Sequence, residues 1–333
     1  MVRAVVIVGP NGSGSGSGEL SSAKLVENRS LACVEMLGRT VLGRTIEELL
    51  RGRIDSVVVI GTGPFTSAVM GHEKVDFFSA QDPWSKAAQK AASFDGDAVL
   101  LMRLGAYVEF DPADMLQFYR DQDRQLTRAC NHEGCLDLWV INPSNVPRND
   151  SLFAFLESEN ITPYFIPGYV NRLESPRDMR QLISDGLAGR CHFRPQGLEI
   201  KPGIWIGHGA QVERTARLVA PTFIGANSKI SDQCLITRAS SVESNSHIDY
   251  GTVIEDTTVL SNTYVGIGLD LSHSIVEGGH LLNLQHGVML RMSDPVVLRR
   301  IKNSKVHSTI DGSFLANLDV RNMALSSVPK KEQ

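Results

Sequence analysis

The sequence has no large excess of charge of either sign and no apolar run of membrane-spanning length. Lys plus Arg number 33 and Asp plus Glu 37, so the formal net charge of -4 does not favour binding to a nucleic-acid backbone. The apolar run in residues 1–8 is too short for a signal peptide and stops at Gly9-Pro10. We therefore expect a cytoplasmic protein with small-molecule or protein partners, no nucleic-acid partner and no membrane partner.

The sequence also lacks a paired set of cysteines. Its five cysteines are an odd number spread along the chain, which excludes a complete disulfide framework. Cys130 and Cys135 flank His132 in the segment ACNHEGC, a set of metal-ligand residue types, but no second ligand cluster follows at zinc-site spacing. This pattern predicts a polar loop with reduced thiols and no metal site.

The first half of the chain alternates strand-like and helix-like segments. AVVIVG and SVVVIG are β-branched runs that end in glycine, as buried parallel strands do, and aliphatic residues at helical spacing predict a crossover helix over 37–53. Asp111 and Pro112 form a helix start, as does Ser175 with Asp178. Strands are predicted over 4–9, 56–61, 98–102 and 136–142. This alternation predicts an α/β domain with a mostly parallel sheet.

The second half carries a six-residue repeat. Each hexad begins with an aliphatic residue, and a small side chain follows four positions later in every hexad except the last, where Tyr264 stands. The aliphatic positions are Ile206, Val212, Leu218, Ile224, Ile230, Ile236, Val242, Ile248, Ile254 and Leu260. This period predicts a parallel β-helix with three hexads in each triangular coil. It resembles the left-handed β-helix of hexapeptide-repeat proteins.

These patterns predict three regions. An α/β domain occupies 1–190, and a linker containing Pro195 and Pro202 leads to a β-helix over 201–290, irregular after Gly266. A C-terminal extension covers 291–333, and its last residues have too little apolar content to order. Exposed coil edges are natural self-association surfaces, so we expect a homo-oligomer formed through the β-helix.

This element order resembles the sugar-nucleotide pyrophosphorylases, which are sugar-1-phosphate nucleotidyltransferases. MVRAVVIVG resembles their opening strand, VEMLGRTVLGRTIEELLRGRIDSVVVI the turn and helix that follow, and GYVNRLESPRDMRQLI their closing segment. The resemblance covers nearly the whole chain and implies a Rossmann-like nucleotidyltransferase domain before a left-handed β-helix. In that family a sugar phosphate attacks the nucleotide α-phosphorus and pyrophosphate leaves, with Mg²⁺, an Arg and a Lys around the phosphates.

The glycine-serine loop after the first strand keeps the form of a phosphate cradle without its charge. Backbone amides and hydroxyls there can bind a phosphate, but Lys24 is the first basic residue after the loop begins, and it is the only candidate catalytic group there. The loop does not match a P-loop or a dinucleotide fingerprint. The predicted phosphate-binding residues are Gly9, Gly12, Ser13, Gly14, Ser15 and Gly16.

The charged residues that the resemblance requires are mostly missing. The family's phosphate-binding lysine falls at Leu31, its first metal-binding carboxylate at Gly105, and its second at Arg172. Its Gly-Thr-x-Gly segment appears as Pro83-Trp84-Ser85-Lys86. Losing both carboxylates removes the oxygen ligands that would hold Mg²⁺. The resemblance therefore implies a catalytically degenerate protein that binds a sugar nucleotide or sugar phosphate, or regulates sugar-nucleotide or polysaccharide metabolism.

Two alternatives remain open from the sequence. The first is an active, divergent nucleotidyltransferase that uses Mg²⁺, with Lys24, Arg29 or Arg103 and Glu109 in rearranged roles. The second is an acyltransferase working from the β-helix with a histidine base, since many hexapeptide-repeat proteins transfer acetyl groups from coenzyme A. The candidate histidines are His208, His247, His273, His280 and His286.

Overall fold

The computed structural model describes residues 2–9, 30–62, 73–122, 125–147, 152–157 and 161–302. The first part of the chain, up to about residue 190, is a mixed α/β structure. Its strands are β1 (Val2–Val8), β2 (Glu35–Met36), β3 (Arg39–Thr40), β4 (Ser56–Gly61), β5 (Val75–Ser79), β6 (Ala98–Arg103), β7 (Tyr107–Val108), β8 (Leu126–Asn131), β9 (Gly134–Ile141), β10 (Thr162–Phe165) and β11 (Val170–Asn171). Its helices are α1 (Val41–Arg51), α2 (Pro83–Ala92), α3 (Pro112–Asp121), α4 (Leu152–Leu156) and α5 (Pro176–Leu187).

The central sheet has seven strands in the order β10-β8-β9-β6-β1-β4-β5. All neighbouring pairs are parallel except the two made by β9, which runs antiparallel to β6 and β8. The mostly parallel sheet is therefore confirmed. The apolar residues of its two faces belong to separate clusters, one including α1, α3 and α5 and the other α2 and α4.

The helix starts follow from their capping residues. Asp111 accepts a hydrogen bond from the Ala113 amide and Pro112 opens α3, while Ser175 and Asp178 form a reciprocal capping box at α5. Both predicted starts are confirmed. The crossover helix is shorter than the predicted 37–53, because residues 37 and 38 form a tight turn and Thr40 caps α1.

From Leu198 onward, short strands form three sheets, and the strands between Ile204 and Glu277 pair in parallel with one another. The strands are β12 (Leu198–Lys201), β13 (Ile204–Ile206), β14 (Gln211–Val212), β15 (Arg217–Leu218), β16 (Thr222–Ile224), β17 (Lys229–Ile230), β18 (Leu235–Thr237), β19 (Ser240–Val242), β20 (His247–Ile248), β21 (Val253–Glu255), β22 (Thr258–Val259), β23 (Thr263–Val265), β24 (Asp270–Ser272), β25 (Ser274–Glu277), β26 (His280–Asn283), β27 (Val288–Arg291) and β28 (Leu298–Arg300). Ile206 pairs with Ile224 and Ile224 with Val242, so three hexads separate paired residues. This stacking is compatible with the predicted β-helix.

The six-residue period slips once inside the predicted repeat. Val242 pairs with Val259 rather than with Leu260, and Val259 joins the apolar interior of the coil. Leu260 is buried instead in the cluster shared with α1 and α5. The prediction of Leu260 as an interior coil position is therefore wrong. The slip also explains Tyr264, because the interior positions on that side become Thr263 and Val265. After β25 the chain turns back as antiparallel strands.

The stacked strands from Ile204 onward, called the coil from here on, pack directly against the first part of the chain. Phe223, Leu260, Ile275 and Leu282 are buried in the same apolar cluster as α1 and α5. None of the helices among the described residues is long and apolar enough to span a membrane.

Candidate functional site

The carboxyl ends of β1, β4 and β6 meet at one edge of the sheet, called the carboxyl edge below. Loops at such an edge can form a ligand site. Gly9 follows β1 at this edge, and a Cβ built on it would have no heavy atom of the described residues within 4 Å. It is the one predicted phosphate-binding residue that the structure describes. The candidate catalytic groups Lys24 and Arg29 lie outside the described residues. So do the other predicted phosphate-binding residues, Gly12, Ser13, Gly14, Ser15 and Gly16.

An ion-pair network occupies this edge on one face of the sheet. Arg103, the last residue of β6, donates from Nε to Asp137 Oδ2 at 2.6 Å, and Arg128 Nη2 lies 3.3 Å from Asp137 Oδ1. Arg128 Nη1 also lies 3.0 Å from Glu157 Oε1. The two guanidinium groups are therefore balanced by two carboxylates. The sequence reasoning missed Asp137, although it is the only charged residue in the apolar strand LDLWVI.

The pairing of β7 with β11 lies next to the two positions at which the resemblance requires metal-binding carboxylates. Val108 pairs with Val170 and Tyr107 with Asn171, so Gly105 lies two residues before this ladder on one strand and Arg172 directly follows it on the other. A Cβ built on Gly105 meets no heavy atom of the described part of the chain within 4 Å. The chain nevertheless has glycine at one position and arginine at the other.

Arg172 binds the tip of the β8–β9 hairpin. Its Nε lies 3.3 Å from Glu133 Oε2, and its Nη2 donates to Asn131 Oδ1 at 3.3 Å. Glu133 is 55% exposed, and ion pairs with exposed carboxylates contribute little because water screens them. Arg172 is thus a half-buried cation at the sheet edge. Among the described residues, Glu133 is its only carboxylate contact, and that contact is weak.

The described residues at this edge do not fit a magnesium ion. Among the described residues, no three His, Cys, Asp or Glu side chains come together as a metal site. Asp137 is held by two guanidinium groups, which occupy the oxygens that a metal would need.

Two further positions of the family pattern have structural roles here. Leu31, at the place of the phosphate-binding lysine, is fully buried in a short 3₁₀ helix. The turn before Arg39 has its amides committed, because Leu37 N and Gly38 N both donate to the Glu243 carboxylate at 2.9 Å. Neither position presents a group to a phosphate.

Cys130 and Cys135 correct one prediction. They form a disulfide, not a loop with reduced thiols. The physical reason is the strand register, since the β8–β9 hairpin places the two residues directly opposite each other. The sequence reasoning tested their spacing for a metal site and did not recognise the hairpin. His132, between them, has an 86% exposed side chain.

The candidate histidines of the acyltransferase alternative lie on or after the coil. His247 Nε2 lies 3.0 Å from Ser231 Oγ, and burial lowers the pKa of its imidazole. His273 Nδ1 lies 2.5 Å from Asp256 Oδ2, and that carboxylate also binds Arg180 of α5. His208 and His286 are exposed and His280 half-buried. The His273 contact therefore belongs to the packing of α5 on the coil.

Comparisons with known proteins give no family and no curated relative, and the structural likeness described here is weak. No family model matches the chain, and no curated protein matches its sequence. A similar solved structure is that of HddC from Yersinia pseudotuberculosis, with 14% identity and a TM-score of 0.42, covering 54% of this chain and 97% of that chain. A likeness this weak establishes neither a shared activity nor a shared ligand.

Proposed function

We propose that this chain is a nucleotidyltransferase-like protein that binds a sugar nucleotide or sugar phosphate without carrying out metal-dependent nucleotidyl transfer. Its role is that of a binding or regulatory protein in sugar-nucleotide or polysaccharide metabolism. The observation that carries the proposal is the pairing of β7 with β11. Gly105 and Arg172 flank that short ladder, at the two positions where the family resemblance requires carboxylates.

The chemistry of the transfer explains why this difference matters. Nucleotidyl transfer proceeds through positioning and charge stabilisation, and a metal ion that bridges phosphate oxygens supplies much of that stabilisation. A guanidinium group can hold a phosphate through two parallel hydrogen bonds, but it cannot bridge oxygens as an ion does. Arg172 therefore suits retention of a phosphorylated ligand and does not suit turnover.

The weak contact of Arg172 with Glu133 favours this binding role. An exposed ion pair contributes at most about 1 kcal/mol, whereas hydrogen bonds between a guanidinium and a phosphate are about twice as strong as neutral ones. A phosphate at the carboxyl edge can thus displace Glu133 at small cost. Arg103 suits an active role less well, because Asp137 already holds it.

The finer architecture belongs to the same proposal. We propose a Rossmann-like domain over 1–190, a left-handed β-helix over 201–290 and an extension over 291–333. The coil leaves β12 as an open strand edge with Leu198 and Ile200 exposed, which supports self-association through the β-helix. The proposed location is the cytoplasm.

Ligand binding to Arg172 variants tests the binding role. The probes are UDP-glucose, dTDP-glucose and GDP-mannose, measured by calorimetry with the full chain. We expect at least one of them to bind, and Arg172→Ala to weaken that binding by about tenfold through loss of a charge-assisted contact. The matched control is Arg214→Ala, an exposed arginine on the coil. Equal affinity in both variants, or no binding of any probe, contradicts the binding role.

A further inference from the structure

A cleft of about 490 Å³ lies along one face of α1, on the opposite side of that helix from its buried residues. Arg44, Glu48 and Arg51 line it at helical spacing, together with the start of α3 and the segment 192–196. Gly52 lines the cleft and comes just before β4 in the chain. The cleft is therefore near the start of β4, whereas the carboxyl edge is at the end of β4. The cleft shares no lining residue with the site around Arg103, Asp137 and Arg172.

Glu48 is a carboxyl group without a hydrogen-bond partner in the part of the chain that the structure describes. Burial, and then the nearby Glu109 and Asp111 carboxylates, raise its pKa to about 7. Glu109 is already satisfied by the Tyr107 hydroxyl at 2.9 Å and by the His192 amide. Near neutral pH, Glu48 can therefore both donate and accept a hydrogen bond, as recognition of a hydroxyl group requires.

Two arginines supply cationic groups at the cleft wall. Arg51 is 80% exposed, and the carboxylate at 3.6 Å from it, Glu47, is held more closely by Arg39 at 2.5 Å. Arg194 is exposed on the other side of the cleft, in the segment that leads to the coil. Arg44 is fixed at the cleft by stacking on Phe193 and by donating to the Leu37 carbonyl, while its buried Nε has no partner among the described residues.

The remaining lining is mixed, with polar groups from Asp111, His192 and Gln196 beside a smaller apolar part. Phe110 and Pro112 are buried residues that border the cleft beside Tyr107. The cleft volume falls in the range of small-molecule sites, and convergent polar groups beside some apolar surface can orient a ligand there. The C–H faces of a polyol or sugar ring can pack against the apolar residues of the cleft. Its hydroxyl groups can then reach the carboxyl groups.

We propose that this cleft binds a small hydroxylated phosphate ester, with Arg51 and Arg194 on the phosphate and Glu48 on a hydroxyl group. The proposal goes beyond the proposed function, because it is a second site remote from the carboxyl edge. Arg44 limits the depth of the cleft and positions its wall.

The test uses glucose 6-phosphate, glycerol 3-phosphate and inorganic phosphate as probes, titrated into the full chain by calorimetry. We expect both esters to bind more tightly than inorganic phosphate. Arg51→Ala combined with Arg194→Ala should weaken the esters by about tenfold or more, because charge-assisted hydrogen bonds are lost. Arg172→Ala should change the affinity for glycerol 3-phosphate, which is not a sugar phosphate, by less than about twofold, since distant sites are independent.

Glu48 separates the hydroxyl contact from the phosphate contact. Glu48→Ala should lower glucose 6-phosphate affinity towards that of inorganic phosphate and leave the affinity for inorganic phosphate unchanged or slightly raised. Absence of ester binding, equal binding of esters and inorganic phosphate, or loss of binding in Arg172→Ala with the cleft variants unaffected would overturn the proposal. The last result would still leave the carboxyl-edge site standing, so the two proposals fail separately.

Discussion

At the residue scale, Glu243 holds the coil against the turn before α1. It is fully buried, and its two oxygens accept the Leu37 and Gly38 amides at 2.9 Å. The neighbouring Glu35 carboxylate is bound by the Ser244 and Ser261 hydroxyls. Burial, followed by the charge of Glu35, raises the pKa of Glu243 to about 8. The contact thus joins two segments about two hundred residues apart through a group that titrates near neutrality.

Glu243 makes stability depend on pH in a defined direction. The unfolded chain releases this proton near pH 4.5 and the folded chain near pH 8, so the stabilisation is complete below about 4.5 and lost as the pH rises to about 8. We expect the free energy of unfolding to fall over this window by at most about 1.4 kcal/mol per pH unit for this proton. Urea unfolding at several pH values measures it.

Glu243→Gln provides the comparison, because it removes the titration and keeps the shape. Glu48 titrates in the same direction with a pKa of about 7, so Glu48→Gln is the matched control for a carboxyl outside the interface. The account expects Glu243→Gln to flatten the pH profile more than Glu48→Gln does. An unchanged profile in Glu243→Gln would show that Glu243 does not bind the proton.

At the residue scale the sequence is least informative. Glu243 stands in the polar segment SSVESNSH and gives no sign of burial, because its partners are amides far away in the chain. The Cys130–Cys135 disulfide was missed for a similar reason, since spacing alone does not show which residues oppose each other across a hairpin. Gly105 and Arg172 were found only because the family resemblance supplied the positions.

At the element scale, the coil depends on glycines where successive turns approach closely. A Cβ on Gly225 would lie 2.5 Å from Ser244 N and 2.7 Å from the Glu243 carbonyl carbon, both backbone atoms of the next coil. Backbone atoms in a stacked strand cannot yield as a flexible side chain does. Close coil stacking therefore requires glycine at this corner.

Gly225→Ala should push two adjacent turns of the coil apart. We expect a loss of about 1–3 kcal/mol in the free energy of unfolding, the usual cost of overpacking. The matched control is Gly105→Ala, where a Cβ meets open space and the substitution should be nearly neutral. Thermal unfolding followed by circular dichroism measures both. Equal melting temperatures for the two variants would contradict the close stacking.

The elements themselves were largely predictable. Hexad periodicity predicted parallel stacking because each interior aliphatic residue must recur on the same side of a coil. It failed at Leu260 because a five-residue step moves Val259 inward, and no local signal in the sequence marks that deletion. Likewise, capping residues located the starts of α3 and α5, whereas the antiparallel direction of β9 depends on a hairpin that periodicity does not reveal.

At the scale of the whole molecule, the coil and the α/β part form a continuous interior. Arg180 of α5 reaches across to Asp256 Oδ1 at 2.7 Å and to the Ala239 carbonyl at 2.8 Å. Together with Glu243, these contacts fix the coil against the side of the sheet that carries α1 and α5. The central sheet and α1 both pack into this shared interior.

Carboxylates introduced at positions 105 and 172, where the family resemblance requires metal ligands, should create a magnesium site. We expect Gly105→Asp combined with Arg172→Asp to be destabilised in a chelator by repulsion between the carboxylates, and to be stabilised by Mg²⁺. At tenfold excess over the dissociation constant the gain is about 1.4 kcal/mol. The control is Gly105→Asn combined with Arg172→Asn, which should not respond. Wild-type protein that gains as much from Mg²⁺ would contradict the account.

The central claim is that this chain binds phosphorylated ligands and does not transfer nucleotides. The most direct test is pyrophosphate release by the wild-type chain with each nucleoside triphosphate and a panel of sugar 1-phosphates, in Mg²⁺ and in a chelator. The account predicts release at the level of the protein-free background in both conditions. Magnesium-dependent turnover with any pair of substrates would contradict it and show that the chain is an active nucleotidyltransferase.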